Sequence, residues 1–210
     1  MSARGKSPPA DHARFGLTAK EATPRVRAAL AAMESEIETL RARVEELESL
    51  ADRDPLIPVL NRRAFLAALQ RTTSYVERYG GDAAVLYIDM NAFKAINDNF
   101  GHPVGDAALR HVGKVLLESV RDTDFVGRLG GDEFGVILSQ SNLAAAKRKA
   151  KGLEDAISAS PCVHEGVEHF LSASIGVHPI ARSEDAEAAL ARADEAMFAN
   201  KKISRKARRA

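Results

Sequence analysis

Two acidic residues, Asp132 and Glu133, follow the glycine pair Gly130-Gly131 in residues 128–134 (RLGGDEF). Short apolar runs lie on both sides, and a glycine pair between two such runs predicts a β-hairpin, because tight hairpin turns require positive φ angles. Carboxylates fixed beside a tight turn, with glycines that let a ligand approach the backbone, are typical of a metal or phosphate site. An ordinary solvated hairpin is an equally good interpretation of these residues alone.

A third acid, Asp89, lies at the end of a continuous apolar run, residues 83–90 (AAVLYIDM). Such a run predicts a buried central strand. Ligands bind beyond strand ends, and a buried carboxylate at that point needs a cation or several hydrogen-bond donors. The alternative is that Asp89 caps the short helix that follows.

The composition excludes several classes of protein. The 210 residues contain 30 Lys and Arg against 29 Asp and Glu, and this balance indicates neither a nucleic-acid partner nor a charged membrane surface. No apolar run approaches the ~20 residues that a membrane span requires. Cys162 is the only cysteine, which excludes an internal disulfide, and with no signal-peptide pattern the expected location is cytoplasmic.

Residues 1–23 are predicted to be a flexible tail, and residues 24–52 a helix that begins at Thr23-Pro24. Apolar residues recur in this helix as a heptad, with a positions Leu30, Ile37, Val44 and Ala51 and d positions Met33, Leu40 and Leu47. The pattern predicts a parallel two-stranded coiled coil in a homodimer. Oppositely charged g and e positions would also attract each other across the dimer, Glu36 with Arg41 and Arg43 with Glu48. The alternative is an amphipathic helix that packs on its own domain.

The remaining chain mixes helices and strands. Asn61 caps a predicted helix that ends at Gly80-Gly81, and further helices are predicted over residues 93–99, 104–120, 143–158 and 184–201. A second hairpin is predicted around Gly166, with residues 170–177 as its better strand. The expected fold class is therefore α/β (α+β), one mixed central sheet covered by helices over residues 53–206, followed by a basic tail at 207–210.

Several motifs follow one another along the chain. They are Asn61-Arg62-Arg63, Asp89 followed by FKAINDNFGHPVGD over residues 93–106, Arg121-x-x-Asp124, the RLGGDEF stretch, Ser174-Ile175-Gly176-Val177, and Ala193-Asp194 leading to Lys201 and Arg205. In this order and spacing they resemble the GGDEF family of diguanylate cyclases over about residues 52–206. The resemblance implies a fold like the adenylyl cyclase catalytic domain and the polymerase palm. It also implies synthesis of cyclic di-GMP from two GTP with loss of two pyrophosphates.

The resemblance assigns Asp89, Asp132 and the backbone carbonyl of Met90 to Mg²⁺ (or Mn²⁺), with two ions per active site. A divalent metal lowers the pKa of a 3′-hydroxyl and neutralises charge on the α-phosphate during in-line attack. Glu133 is implied as the second catalytic acid beside Asp132, as either a base or a metal partner.

The resemblance also implies how GTP is recognised. Asn97 and Asp106 resemble guanine readers, since a carboxylate accepts the paired N1–H and N2–H donors that guanine has and adenine lacks. Lys94, Lys201 and Arg205 would neutralise the triphosphate. Further substrate contacts are expected at Phe93, His102, Gly130 and Gly131. For the histidine, a purely structural role stays open.

Arg121 and Asp124 form an R-x-x-D pair separated from Gly130 by the five residues 125–129. A pair at this position resembles the inhibitory site of the family, where dimeric cyclic di-GMP binds. Arg can pair with a phosphate or with the Hoogsteen edge of guanine, and Asp can accept N1–H and N2–H. The motif is short enough to occur by chance, so its position carries the assignment.

Three places depart from the family pattern. Asn91 replaces the usual Asp two residues after Asp89, which removes a negative charge beside the metals. Residues 54–59 (DPLIPV) differ from D-x-L-T-G-L, and Ser204 and Lys206 flank Arg205 where Gly and Asn are usual. None of these removes an expected metal ligand or guanine reader, so an active enzyme is expected. The alternatives are a degenerate receptor for cyclic di-GMP and a coiled-coil scaffold without a nucleotide role.

Overall fold

The computed structural model describes residues 16, 18, 21 and 23–207, and for residues 42, 45–51 and 203–207 it describes the backbone alone. The chain divides into two compact units, Met1–Ala51 and Asp52–Ala210. Most of the predicted tail, residues 1–23, and the last three residues lie outside this description.

The described chain contains helices and strands that intermix along the sequence. In order they are α1 (Pro24–Asp52), α2 (Arg62–Tyr79), β1 (Ala83–Met90), α3 (Phe93–Phe100), α4 (His102–Ser119), β2 (Phe125–Gly130), β3 (Glu133–Ser139), α5 (Leu143–Ala159), β4 (Cys162–His164), β5 (Val167–His169), β6 (Ala173–Pro179) and α6 (Ala186–Ala207). Within the described ranges, no helix has both the length and the apolar character needed to cross a bilayer.

Helix α1 occupies the range that the heptad pattern predicts. It begins where Thr23 Oγ1 accepts a hydrogen bond from the backbone N–H of Val26 at 3.3 Å. Residues of the predicted stripe are exposed in the single chain, to 58%, 46%, 56% and 52% for Met33, Ile37, Leu40 and Val44. Burial of such a stripe is the main source of stability for an amphipathic helix. Pairing with a second copy along this stripe stays a prediction.

The sheet of the second unit has the strand order β2-β3-β1-β6, and each neighbouring pair is antiparallel. The α/β class is therefore confirmed, but the sheet is antiparallel where a mixed sheet was expected. The connection through α3 and α4 returns β2 parallel to β1, as helical connections commonly do. The tight hairpin then inserts β3 between these two strands, so that β1 and β2 do not pair with each other.

Helices cover both faces of this sheet. Alternate residues of a strand point to opposite faces. One set of β1 residues, which includes Leu86 and Ile88, packs with buried residues of α4 and α5. The other set, which includes Val85 and Tyr87, packs with buried residues of α2 and α6. β1 is thus the shared centre of two apolar cores.

Two helices approach the sheet closely because glycines leave room for them. A Cβ on Gly135 of β3 would lie 2.4 Å from Cζ of the Phe65 ring on α2. A Cβ on Gly176 of β6 would lie 2.0 Å from the backbone oxygen of Ala193 on α6. Close packing of α6 brings its later residues, including Lys201, to the carboxyl end of β1.

The second predicted hairpin is correct in its turn and wrong in its strands. β4 and β5 pair with each other around Glu165 and Gly166, whose φ angles are 48° and 81°. Residues 173–179 instead form β6, an edge strand of the main sheet beside β1, and Phe170 lies in the loop before it, 73% exposed. An isolated two-stranded ribbon buries little, so the apolar strand gains more beside β1.

Candidate active site

The predicted hairpin of residues 128–134 is present, with Gly131 and Asp132 as the turn between β2 and β3. The expected reason for its glycines was wrong, because neither Gly130 nor Gly131 has a positive φ. Space is the reason at Gly130, where a Cβ would lie 2.8 Å from Glu133 Oε2. A Cβ on Gly131 would meet no described atom within 4 Å. The turn therefore leaves open room beside its two acids.

Asp89 and Glu133 are direct cross-strand partners in β1 and β3. Residues opposite each other in neighbouring strands share a face of the sheet, so both carboxylates lie on the side covered by α2 and α6. The backbone N–H of Met90 donates to the backbone oxygen of Asp132 at 3.1 Å, which ties the end of β1 to the turn. The fold thereby brings the predicted metal and catalytic residues together.

The ammonium group of Lys201 compensates the charge of this acidic end. Its Nζ forms an ion pair with Asp89 Oδ1, and the two side chains are only 19% and 18% exposed. Burial raises the pKa of Asp132 above its ordinary value, and the negative charge of Asp89 raises it further. Lys201 and Arg128 act in the opposite direction. The two aspartates are therefore close enough to repel each other, and a cation between them would stabilise both.

This donor set fits a hard divalent cation such as Mg²⁺. Among the described residues, no group of three His, Cys, Asp or Glu side chains forms a metal site. The turn and the end of β1 instead offer two carboxylates, from Asp89 and Asp132, and the backbone carbonyl of Met90. Mg²⁺ suits such a partial set because it keeps several waters and commonly takes one or two carboxylates plus substrate phosphates.

Asp54 and Arg128 form an ion pair that stabilises the turn, and the sequence analysis did not predict this pair. Asp54 Oδ1 accepts hydrogen bonds from the backbone N–H groups of Leu56 and Ile57 at 2.9 and 3.1 Å. It also accepts from Arg128 Nη1 at 3.3 Å, in an ion pair whose side chains are 17% (Arg128) and 11% (Asp54) exposed. Arg128 Nη2 and Nε donate to the backbone oxygen of Gly131 at 2.8 and 3.1 Å. The departure of residues 54–59 from the family pattern thus keeps an acid that fixes the turn.

Tyr87 is a second residue that the sequence analysis did not single out. Its side chain is buried; burial first, and then its interaction with the Glu133 carboxylate, raise the pKa of Tyr87 above its ordinary value. Gly135 and Gly176 are its cross-strand neighbours on the two sides. One feature of the sequence could have indicated Tyr87: it precedes Asp89 by two residues, so the two side chains lie on the same face of the strand.

The predicted guanine readers come together where α3 meets α4. The two helices are joined at Gly101, whose φ of 84° is in the region that favours glycine. A Cβ on Gly105 would lie 1.9 Å from Asn97 Oδ1 and 3.4 Å from Cζ of Phe93. Asn97 and Phe93 therefore pack against the start of α4, beside Asp106, and all three side chains are half-buried.

The other predicted substrate contacts are held less closely. Lys94 is exposed on α3, and His102 is exposed as the first residue of α4. The side chain of Arg205 lies outside the described residues, although α6 continues past it. Lys201 is the predicted phosphate contact that the fold holds against an acid of the site.

Asn91, the residue that departs from the family pattern, bonds to the loop before β6 and to β6 itself. Its Nδ2 donates to Ser172 Oγ at 3.2 Å, and its Oδ1 accepts from Ser174 Oγ at 2.9 Å. Its backbone N–H also donates to the backbone oxygen of Ser172 at 2.8 Å. The side chain therefore joins β1 to β6, and its effect on metal binding stays a prediction.

The predicted product pair, Arg121 and Asp124, lies in the loop before β2. Asp124 Oδ2 accepts from the backbone N–H of Arg121 at 3.1 Å, and Oδ1 accepts from the backbone N–H of Ser139 at 3.0 Å. The carboxylate thus shapes the loop and ties it to the end of β3. Arg121 is exposed, so the loop presents its guanidinium to solvent.

Comparison with known proteins identifies relatives of this chain. A family model described as "Diguanylate cyclase, GGDEF domain" matches residues 51–207. Diguanylate cyclase DgcP of Pseudomonas aeruginosa is 33% identical over 173 residues, which cover 82% of this chain and 26% of DgcP. Diguanylate cyclase DosC of Escherichia coli K12 is 34% identical over 153 residues, which cover 72% of this chain and 33% of DosC. The chain spans about a quarter to a third of these two curated relatives.

Solved structures show the same fold. The coiled coil and GGDEF domain of DgcB from Caulobacter crescentus, in complex with c-di-GMP, superposes with a TM-score of 0.75 at 26% identity, covering 84% of this chain and 94% of that one. A sensory box/GGDEF family protein from Caulobacter crescentus CB15 superposes with a TM-score of 0.68 at 34% identity, covering 72% and 99%. With a family match that spans residues 51–207, the chain belongs to the GGDEF domain family of diguanylate cyclases.

Proposed function

We propose that this chain is a diguanylate cyclase, which joins two GTP into cyclic di-GMP, releases two pyrophosphates, works as a homodimer and is inhibited by its product. The observation that carries the proposal is the meeting of Asp89, Asp132 and Glu133 at the end of β1. The helices that follow directly carry Asn97, which packs against Gly105, and Asp106, the next residue of α4. The names of the relatives DgcP and DosC support the same activity.

Substrate binding divides between two parts of the site. Asn97 and Asp106 bind the guanine edge, where Asp106 accepts the N1–H and N2–H donors. The triphosphate extends toward the hairpin, where Gly131 leaves open room, and Lys94, Lys201 and Arg205 neutralise its charge. A cytoplasmic location fits GTP as the substrate.

The acids of the site position and deprotonate the attacking hydroxyl. Asp89, Asp132 and the Met90 carbonyl would hold Mg²⁺ (or Mn²⁺), two ions per site, which supplies Lewis-acid stabilisation of the α-phosphate when bound. Glu133 holds no metal in this assignment, so its carboxylate accepts the proton of the 3′-hydroxyl. Tyr87 orients that carboxylate through its hydroxyl, and Arg128 keeps the turn in place through the Gly131 oxygen.

Two copies of the domain must meet, because each holds one GTP and each 3′-hydroxyl attacks the other α-phosphate. The exposed stripe of α1 supports a parallel coiled coil that joins the copies. Ile37→Lys, in the stripe, should weaken dimerisation in sedimentation experiments, whereas Ser35→Lys, at the outermost heptad position, should not. Equal dimerisation of the two variants would contradict the coil.

Product inhibition is assigned to Arg121 and Asp124. Arg121 is exposed at the surface and can pair with a phosphate or a guanine edge, while Asp124 holds the loop in shape. The structure of DgcB in complex with c-di-GMP supports a product site in this family.

The activity is tested by incubating the purified chain with GTP and Mg²⁺ and measuring cyclic di-GMP by chromatography, with ATP as the matched substrate control. Product from GTP and none from ATP supports the proposal. A chain that binds GTP but forms no cyclic di-GMP would overturn it.

The second candidate is a degenerate receptor that binds cyclic di-GMP without synthesis. Asn91 favours it, because an amide bonded to two serines replaces a negative charge next to Asp89. Product binding without turnover, together with turnover in the Asn91→Asp variant, would support the receptor. Turnover in the unmodified chain would exclude it.

A further inference from the structure

The β4–β5 hairpin lies at the catalytic end of the domain. β6 runs antiparallel to β1, and its first residue pairs with Met90, so β6 begins beside the carboxyl end of β1. The short connection 170–172 joins β5 to that point. Ser172 in this connection accepts hydrogen bonds from the side chain and the backbone of Asn91, two residues after Asp89. The hairpin is therefore tied to the loop that follows a predicted metal ligand.

The hairpin exposes apolar side chains at this end. It packs on the domain through Cys162 and His169, which are cross-strand partners and are both buried. Its two valines are open to solvent instead, with Val163 60% and Val167 55% exposed. Phe170, directly after β5, is more exposed than either valine. Apolar groups left in water at one place are typical of an interaction site.

The exposed apolar residues continue onto the helix that carries Asn97. The ring of His169 lies 4.8 Å from the ring of Phe100, the last residue of α3, in an edge-on arrangement. Phe100 is itself 54% exposed. The hairpin and α3 thus present a joint apolar surface beside the proposed GTP site. This surface, here named the hairpin surface, consists of Phe100, Val163, Val167 and Phe170.

A second copy of the domain is the partner that fits this position. In the proposed reaction each copy holds one GTP, and the 3′-hydroxyl on one copy attacks the α-phosphate on the other, so the catalytic ends of two domains must meet. A different protein bound at this end would stand between the two nucleotides. In a twofold arrangement one surface meets its own counterpart, and the apolar groups of both copies leave water together.

The small size of the hairpin surface suits a contact that must open again to admit GTP and release product. Small interfaces are weak on their own. The coiled coil proposed for α1 would hold two domains at an effective concentration that is roughly millimolar for a short linker, so few contacts suffice. Glu165 and Glu168 are exposed on the same hairpin, and repulsion between the acids of two copies keeps the contact reversible.

We propose that the hairpin surface docks against its counterpart on a second copy and thereby brings two GTP-loaded sites face to face. The inference rests on the proposed synthesis of cyclic di-GMP. It adds the surface that assembles the two half-sites, which is separate from the coil that tethers them.

The test compares synthesis with substrate binding in the full chain. Phe170→Ser and Val163→Ser should each lower the initial rate of cyclic di-GMP formation about tenfold, because each substitution removes an apolar contact from both copies of a twofold interface. Phe170→Leu keeps an apolar group and should stay within about threefold of the unmodified chain. Binding of 3′-deoxy-GTP with Mg²⁺, which cannot condense because it lacks the attacking hydroxyl, should change less than about twofold in calorimetry.

Leu143→Ser is the matched control. Leu143 is a partly exposed apolar residue at the start of α5, which follows the end of β3 that pairs with the start of β1, so it lies at the opposite end of the domain. Its rate should stay within about twofold of the unmodified chain. Sedimentation should show the same dimer for every variant, since α1 is unchanged, and thermal unfolding verifies that each variant folds.

The outcomes separate this inference from the proposed activity. Rates of Phe170→Ser and Val163→Ser equal to that of Leu143→Ser would overturn the inference and leave the cyclase assignment standing. Loss of 3′-deoxy-GTP binding in step with the rate would also overturn it, because these residues would then serve substrate binding. An unmodified chain that forms no cyclic di-GMP from GTP would overturn the proposed function, and the docking surface with it.

Discussion

Arg128 and Arg121 stand near the two ends of β2 and differ in their surroundings. Arg128 is 17% exposed, pairs with Asp54 and donates two hydrogen bonds to the Gly131 oxygen. Arg121 is exposed, lines a cavity and has no described side-chain partner. A guanidinium loses its hydration only where other acceptors replace the water, so Arg128 belongs to the framework of the fold, whereas Arg121 stays hydrated and accessible.

The difference between Arg128 and Arg121 indicates that the two ends of β2 have different roles. The catalytic end is organised before any nucleotide arrives, because hydrogen bonds within the protein hold the turn and its acids. The proposed product end instead presents the solvent-exposed guanidinium of Arg121, which a phosphate could bind. A rigid catalytic end favours reaction geometry, whereas an open product end favours reversible binding.

Asp89→Asn should have the largest effect, a fall in cyclic di-GMP synthesis of about 100-fold or more, because it removes a carboxylate predicted to hold metal and the partner of Lys201. Binding of cyclic di-GMP at the other end of β1 should stay unchanged. Initial rates and calorimetry on the same preparation measure both. Glu118→Gln, which also removes one negative charge at an exposed position near the end of α4, is the control. A rate near that of the control would show that Asp89 is dispensable.

Arg128→Ala should lower the free energy of unfolding by about 3 kcal/mol, because it leaves the carboxylate of Asp54 largely buried without its charge partner. Arg121→Ala should change stability by less than ~0.5 kcal/mol, as is usual for an exposed side chain. Urea unfolding of the two variants compares the two ends of β2 directly. Equal losses of stability would contradict the contrast between them.

Gly105→Ala should raise KM for GTP about tenfold with a smaller change in kcat, since the new Cβ would lie 1.9 Å from Asn97 Oδ1 and displace a guanine reader. Gly152→Ala is the matched control, because a Cβ at that helical glycine meets no described atom within 4 Å. Steady-state kinetics with GTP as the varied substrate separates the two parameters. An unchanged KM would mean that Asn97 does not bind the base.

Asn91→Asp should have the smallest effect, a decrease of about two- to threefold in the Mg²⁺ concentration needed for half-maximal rate, as expected for one added charge at a partly solvated site. The serine hydroxyls of residues 172 and 174 can both donate to a carboxylate, so the link to β6 should survive. Rates measured over a Mg²⁺ titration check this. Activity that appears only in the variant would favour the receptor.

Local patterns predicted much of the fold. The heptad placed α1, and the apolar run placed β1 at residues 83–90, both with the observed bounds. The Gly-Gly turn placed the hairpin of β2 and β3, although neither glycine has a positive φ. Local patterns could not predict which strands pair with each other. Residues 170–177 are apolar enough for either a ribbon or the main sheet, and burial beside β1 decided between them.

By itself, the sequence determined which chemical groups are proposed for each role: two aspartates and a glutamate for the reaction, an amide and an acid for the base, and basic residues for phosphate. These follow from motif order and residue type, which are local properties. The tertiary structure alone decided which residues position those groups. Arg128 forms an ion pair with Asp54, Tyr87 interacts with Glu133, and Lys201 forms an ion pair with Asp89. The tertiary structure also decided that Arg71 and Arg121 share a cavity. Such pairings join residues far apart in the chain, and they form only when close packing at the glycines brings α2 and α6 onto the sheet.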